Sequence, residues 1–163
     1  MYTNIDSLYN KLDLLKCTLY NMEHIPNIII LTEINAKNFK YPVLESELQI
    51  SGYNLFCKNL SIKSKRGIAI YVDNKLNSLC IDDLIEFNEG LLINITGKNN
   101  NLAIFCVYRS PNSNLDNDDK LLKSIQMLSK KYNKNLIIIG DFNYPNIKWN
   151  DTPMEKNSQR TKC

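Results

Sequence analysis

Leu136-Ile137-Ile138-Ile139-Gly140-Asp141-Phe142-Asn143 is the stretch whose reading decides the fold. Four consecutive apolar residues, three of them β-branched, read as a short strand buried on both faces. The run ends at once in a glycine and a carboxylate, and two residues later in an amide. Rigid scaffolds present reactive groups at strand ends facing a cleft. The question is whether other strands of this chain end the same way.

They do. Ile28-Ile29-Ile30-Leu31-Thr32 is a second short apolar run, and Glu33 follows it. Phe105-Cys106-Val107 leads into Tyr108, and Thr3 is followed by Asn4 and Asp6. Taken singly, each polar residue is only the start of a loop. Taken together, they are carboxylates, amides and a phenol without a thiol or an imidazole. That set suits a hard, oxygen-preferring cation such as Mg²⁺. His24 is the one histidine of the chain, so no site can draw on two. It falls between the first helix and the Glu33 strand and reads as a surface loop residue.

Between these points the pattern is mixed. Leu8, Leu12, Leu15 and Leu19 repeat at helical spacing and predict a helix from Ser7, as N-cap, to about Asn21. Residues 34–52 read as irregular, with a short helix near 43–49. Strands are predicted near 54–57, 67–72, 79–86, 91–96 and 102–107, with turns at Gly90 and at Gly97 to Asn101. A second helix is predicted from Asp116 to about Tyr132, with Leu121, Leu122, Ile125 and Leu128 on one face. Consecutive strands in the middle imply antiparallel pairing. The expected fold class is therefore α/β: a two-sheet sandwich with helices outside. No Gly-rich loop follows the first strand, which excludes the usual nucleotide-binding fingerprints.

Composition narrows the class further. The 163 residues fit one domain, and 44% are apolar, enough for a sizeable core. A net charge of +3 is compatible with a phosphate-rich partner without arguing for one. The five cysteines form no C-x-x-C pair, which speaks against zinc and for a reducing compartment. No leader-like segment opens the chain, and no apolar run is long enough to span a bilayer. An intracellular protein, nuclear or cytoplasmic, with no membrane partner is expected.

Five segments carry a resemblance. They are Tyr2 to Leu8; Leu31-Thr32-Glu33; Arg66 to Val72; Tyr108-Arg109-Ser110-Pro111-Asn112; and Ile139-Gly140-Asp141-Phe142-Asn143 with Trp149 beyond it. In this order and spacing the chain resembles the endonuclease/exonuclease/phosphatase family. It is most similar to the endonuclease domains of non-LTR retrotransposons, which are related to apurinic/apyrimidinic endonucleases and DNase I. The resemblance covers residues 2–150. It implies a four-layer, DNase I-like sandwich over residues 1–150, incomplete at its C-terminus, with residues 151–163 as a disordered tail.

The resemblance also implies roles. Glu33 and Asp6 would be the metal ligands, for Mg²⁺ or alternatively Mn²⁺. Asp141 would position or activate the attacking water. Asn4 and Asn143 would orient the phosphate and the carboxylates, and Tyr108 would contact the phosphate or the leaving group. Asn112 and Arg109 would bind substrate. Apart from the resemblance, Trp149 reads as structural, and the basic cluster Lys63, Lys65, Arg66 as a solvated hairpin edge sooner than a DNA contact. The family's last motif, an Asp-His pair, has no counterpart in Gln159 to Cys163, so the chain is expected to be a fragment.

The expected activity is Mg²⁺-dependent nicking of DNA by the complete form, with a reverse transcriptase domain downstream in the parent element. The alternatives are a catalytically inactive retrotransposon remnant acting as a binding module, and a phosphatase-type member of the family. Whichever holds, Asn4, Glu33, Tyr108, Asp141 and Asn143 are predicted to converge on one cleft at one edge of the two sheets. A structure with Glu33 and Asp141 on opposite sides of the domain would rule the resemblance out.

Overall fold

The structure, a computed structural model, describes residues 1–60, 65–98 and 101–144. Trp149, Lys63 and the expected tail at 151–163 lie outside the described residues. Strands β1 (Tyr2–Asn4), β2 (Ile28–Thr32), β3 (Tyr53–Lys58) and β4 (Ile68–Asp73) form one sheet in the order β1-β2-β4-β3. Strands β5 (Asn77–Cys80), β6 (Gly90–Thr96), β7 (Asn101–Tyr108) and β8 (Leu136–Asp141) form the second, in the order β5-β6-β7-β8. Each sheet is antiparallel except at one edge. There a helix connection makes the pair parallel: α1 (Leu8–Tyr20) between β1 and β2, and α2 (Leu115–Tyr132) between β7 and β8.

Alternation along the strands sorts the core into three layers. Ile30, Ile68, Ile70 and Val72 of the first sheet meet Leu91, Ile93, Ile104 and Cys106 of the second. The opposite faces take the helices. Leu8, Leu12, Leu15 and Leu19 of α1 pack on Ile29, Leu31, Ala69 and Tyr71. Leu121 and Leu128 of α2 pack on Leu92, Ala103, Phe105 and Val107. The result is the helix-sheet-sheet-helix stack expected from the sequence. Burying a leucine of these rows stabilises the fold by roughly 1.5–3 kcal/mol. Among the described residues no helix is long and apolar enough to cross a membrane.

Three local expectations are corrected. The strand expected over 79–86 stops at Cys80 and gives way to a single turn at Asp82–Leu84. Asp82 turns its side chain onto the backbone, accepting from the Leu92 N–H at 2.7 Å, which takes the chain out of the ladder. Helix α2 begins one residue earlier than expected, because Asn114 caps it: its side chain accepts from Asn117 N–H at 2.9 Å. Ser7 is not a side-chain cap. Its φ is +80°, and the first helical N–H groups are satisfied by backbone instead. Ser7 N–H donates to the Glu33 carbonyl at 2.8 Å and Leu8 N–H to that of Ile34 at 2.9 Å.

Gly140 fixes the end of β8. Its φ is +144°, and a Cβ placed there would lie 1.8 Å from the Val107 carbonyl oxygen on the paired strand. Only glycine allows β7 and β8 to approach this closely. Gly140→Ala is expected to destabilise the protein by about 3 kcal/mol, through backbone strain and overpacking. Urea unfolding checks this: the midpoint should fall while the slope is unchanged.

Candidate functional site

The site forms where the layer between the sheets reaches the surface. Along β2, Ile28 and Ile30 face the other sheet, and Thr32 continues their row. Along β7, Ile104 and Cys106 do so, and Tyr108 continues theirs. Along β8, Ile139 packs into the same layer and Asp141 is next in phase. Register brings the row ends together: Asn4 pairs with Thr32, and Tyr108 with Asp141. Each row is apolar inside and polar at one end.

Two carboxylates organise this rim. Asp141, at the end of β8, accepts from the opposite sheet. Its Oδ1 takes the Tyr2 hydroxyl at 2.5 Å, and its Oδ2 takes Thr32 Oγ1 at 2.8 Å and Asn4 Nδ2 at 2.9 Å. Glu33 follows β2 directly. Its Oε1 accepts from the Tyr108 hydroxyl at 3.1 Å and its Oε2 from Arg66 Nη2 at 2.5 Å. The same Nη2 donates to Asp6 Oδ1, so one nitrogen bridges Glu33 and Asp6. That hydrogen bond is the main reason the Asp6 carboxyl is held below its ordinary range. Burial, and then the neighbouring Glu33 charge, push the Tyr108 phenol well above its ordinary value, so it is a protonated donor. Burial and the bond to Asp141 do the same to Tyr2.

Backbone strain marks the same rim. Asp6, Glu33 and Asn143 have φ of +44°, +55° and +47°. Non-glycine residues adopt such angles where surrounding contacts hold them there, and such residues cluster at functional sites.

Asn143 and Arg109 are neighbours that hold each other. Asn143 Nδ2 donates to the Arg109 carbonyl at 2.8 Å, and Arg109 Nη1 donates to the Asn143 carbonyl at 2.7 Å. The Arg109 guanidinium is buried and forked onto Asp118, with Nε and Nη2 at 2.7 and 3.0 Å, and stacks 4.1 Å from the Tyr144 ring. Arg109, expected to touch substrate, therefore clamps the loop that carries Asn143. Asn112 is exposed and borders a separate polar cleft of about 310 Å³ with Lys65, Glu89 and Asn117. It is not among the hydrogen-bond partners of Glu33 or Asp141. His24 is exposed beyond the start of β2, the end of the strand away from Glu33.

The expected solvated edge is corrected at both of its described residues. Arg66 binds Glu33 and Asp6, and Lys65 Nζ binds Glu89 Oε1 at 2.7 Å. Glu89 is 2% exposed and also accepts from Ser110 Oγ, Ser110 N–H and Asn117 Nδ2, while its carbonyl accepts from Tyr108 N–H. It thereby fixes the segment that leads from Tyr108 to α2. Tyr2, Thr32, Arg66 and Glu89 are the site residues that reading the sequence missed. Phase along the strands could have found Tyr2 and Thr32; Arg66 and Glu89 reach the site from irregular segments that carry no periodic signal.

The residues present fit a divalent cation. Among the described residues no group of three or more His, Cys, Asp or Glu gathers. Mg²⁺, however, needs only one or two carboxylates and retains water on its other positions. Glu33 and Asp6 already converge on a positive charge.

Comparison with known proteins agrees with the fold. Residues 102–162 match a family described as "Endonuclease-reverse transcriptase". No curated protein sequence matches the chain. Among solved structures, the endonuclease domain of TRAS1, a telomere-specific non-LTR retrotransposon, is similar with a TM-score of 0.57 and 17% identity, over 87% of this chain and 57% of that one. The AP endonuclease LMAP of Leishmania major gives 0.60 and 16%, over 86% and 53%. TDP2 of D. rerio, complexed with a single-strand DNA product, gives 0.55 and 14%, over 88% and 59%. The chain thus spans little more than half the length of these proteins, and its fold is theirs. The resemblance read from the motifs, to the endonuclease/exonuclease/phosphatase family and to retrotransposon endonucleases within it, is borne out.

Glu89 gives the site an acid-sensitive support. Burial alone would raise its pKa, but the hydrogen bonds from Lys65 and Ser110 outweigh burial and lower it. A carboxyl lowered in the folded state adds stability above its unfolded pKa and loses it as pH falls through the folded one. Glu89→Gln is expected to cost about 2–3 kcal/mol at neutral pH. The gap to the native protein should narrow below about pH 4.3. Urea unfolding across an acid pH series checks both the size and the sign.

Proposed function

We propose that this cleft hydrolyses a phosphodiester bond of DNA with a divalent cation, Mg²⁺ or Mn²⁺, held by Glu33 and Asp6. The observation that carries the reading is the pairing of two unlike carboxylates at one strand-end rim. Glu33 is compensated by a cationic partner, and Asp141 is held by neutral donors. The similarity of the fold to a retrotransposon endonuclease, an AP endonuclease and TDP2 supports a nucleic-acid substrate. The description of the matched family supports a parent protein that also carries a reverse transcriptase.

When bound, the cation would neutralise charge developing on the phosphoryl and leaving oxygens. The rest falls to this chain. Asp141 orients a water or accepts its proton, and Tyr2, Asn4 and Thr32 hold its carboxylate in place. The Tyr108 hydroxyl, kept protonated by burial, turns its one proton from Glu33 to a phosphoryl oxygen when substrate is bound. Asn143, fixed by Arg109, lies beside Asp141 as a polar contact to the same phosphate.

A second reading is DNA binding without cleavage. It is favoured by the position of His24, which leaves the described rim without an imidazole acid or base. General acid–base groups contribute roughly 10²–10⁴-fold each, so turnover here is expected to be slow.

The test is nicking of supercoiled plasmid in Mg²⁺. Slow nicking is expected from the native chain, reduced at least about 10²-fold by Asp141→Ala and by Glu33→Gln. Plasmid retention on a gel without nicking would favour the binding reading. Nicking that survives both substitutions would exclude this rim as the active site.

A further inference from the structure

We propose that Arg66 is an exchangeable cation: its guanidinium fills the position between Asp6 and Glu33 until a divalent ion takes it, and then binds a phosphate oxygen of the DNA strand. The proposal rests on the reading of the cleft given above and adds a residue to it.

The arrangement around Arg66 is unusual for a partly buried arginine. A single nitrogen, Nη2, receives both carboxylates, Glu33 Oε2 at 2.5 Å and Asp6 Oδ1 from across the rim. Two carboxylates converging on one point is how they would converge on a metal ion. The other donors of Arg66 have no partner among the described residues. The side chain is 14% exposed, yet Nε and Nη1 are buried. Buried donors are nearly always paired. Arg109 shows the usual case in the same molecule, with donors engaged by Asp118, Ser110 and Asn143. Donors without a partner among the described residues, on a guanidinium that faces the rim proposed above to take a phosphate, are available to an acceptor.

The backbone is suited to such an exchange. The Arg66 carbonyl accepts from Asn35 N–H at 2.8 Å, and the Lys65 carbonyl accepts from Asn35 Nδ2 at 3.0 Å. The main chain is thus anchored to the segment that follows Glu33, and only the side chain has to turn. A divalent ion and a guanidinium are driven apart at the one point between the two carboxylates, because like charges at contact repel. The displaced guanidinium keeps its planar fork, which matches phosphate oxygens two at a time. It would emerge beside the Tyr108 hydroxyl, which donates to the other oxygen of Glu33.

One substitution should therefore move two affinities in opposite directions. Mn²⁺ is titrated by calorimetry into the native chain, Arg66→Ala, Arg66→Gln, Arg66→Lys and Glu33→Gln. Binding of a short DNA duplex with saturating Mn²⁺ is measured by anisotropy in an Asp141→Asn background. Arg66→Ala and the near-isosteric Arg66→Gln are each expected to bind Mn²⁺ about tenfold more tightly, a change of about 1.4 kcal/mol, and DNA about tenfold more weakly. Arg66→Lys, which keeps the charge, should bind Mn²⁺ as the native chain does. A purely structural arginine would weaken both affinities or neither, and that outcome overturns the proposal. If Glu33→Gln alone loses Mn²⁺ while the neutral Arg66 variants match the native chain, the exchange fails and the metal assignment stands. If all five proteins bind Mn²⁺ alike, or none binds it, the metal assignment fails and the exchange with it.

Discussion

A carboxylate from one sheet is held by donors from the other, and the rest of the rim depends on that connection. Asp141 ends β8, while Tyr2, Asn4 and Thr32 belong to β1 and β2. Behind the rim the layer between the sheets is a cluster of apolar side chains, and apolar contacts are tolerant of small sliding. Directional hydrogen bonds are not. The three donors also make the position tolerable, since a carboxylate partly removed from water is costly unless its oxygens are satisfied. The Asp141 carbonyl then takes the Arg109 N–H at 2.8 Å, and Arg109 in turn holds Asn143. A shift of one sheet against the other would break this series at its first member.

The second carboxylate is built on different terms. Glu33 is adjacent in sequence to Thr32, and its partner Tyr108 lies opposite Asp141 in register, so the two centres are one residue apart along the β2 segment and side by side across the β7–β8 pair. Asp141 is surrounded by neutral hydroxyl and amide groups, Glu33 by a guanidinium and a phenol. The first environment suits an oxygen that must handle a water. The second suits an oxygen that must neutralise a cation. The division follows from which segments reach the rim: strand ends supply the neutral donors, and the irregular run before β4 supplies the charge.

The fold was legible because its signals are periodic. The four leucines of α1 and the β-branched runs of β2 and β8 state their periods openly, and the alternation of 104, 106 and 108 against 103, 105 and 107 sorts β7 between its two faces. Asn4, Glu33, Tyr108, Asp141 and Asn143 could be named for the same reason, as residues at the ends of such runs. Arg66 and Glu89 could not. Their partners are 33 and 21 residues away, at Glu33 and Ser110, and no local pattern announces a contact across that span. Ser7 misled in the opposite way. It has the composition of a cap, but the carbonyls of Glu33 and Ile34 had already taken its task, and only tertiary structure reveals that.

The left-handed backbone at Asp6, Ser7, Glu33 and Asn143 has a consequence for how such a chain can change over generations. A position with φ between +44° and +80°, as these have, tolerates glycine, asparagine and aspartate, tolerates other residues at a cost, and nearly excludes valine, isoleucine and threonine. The rim therefore has a narrow alphabet imposed by geometry before any chemistry is considered. A lineage released from selection for catalysis would still be restrained at these four places as long as it had to fold. Their persistence among descendants would record the shape of the backbone, whereas persistence of Arg66 and Tyr108, which have no such restraint, would record use.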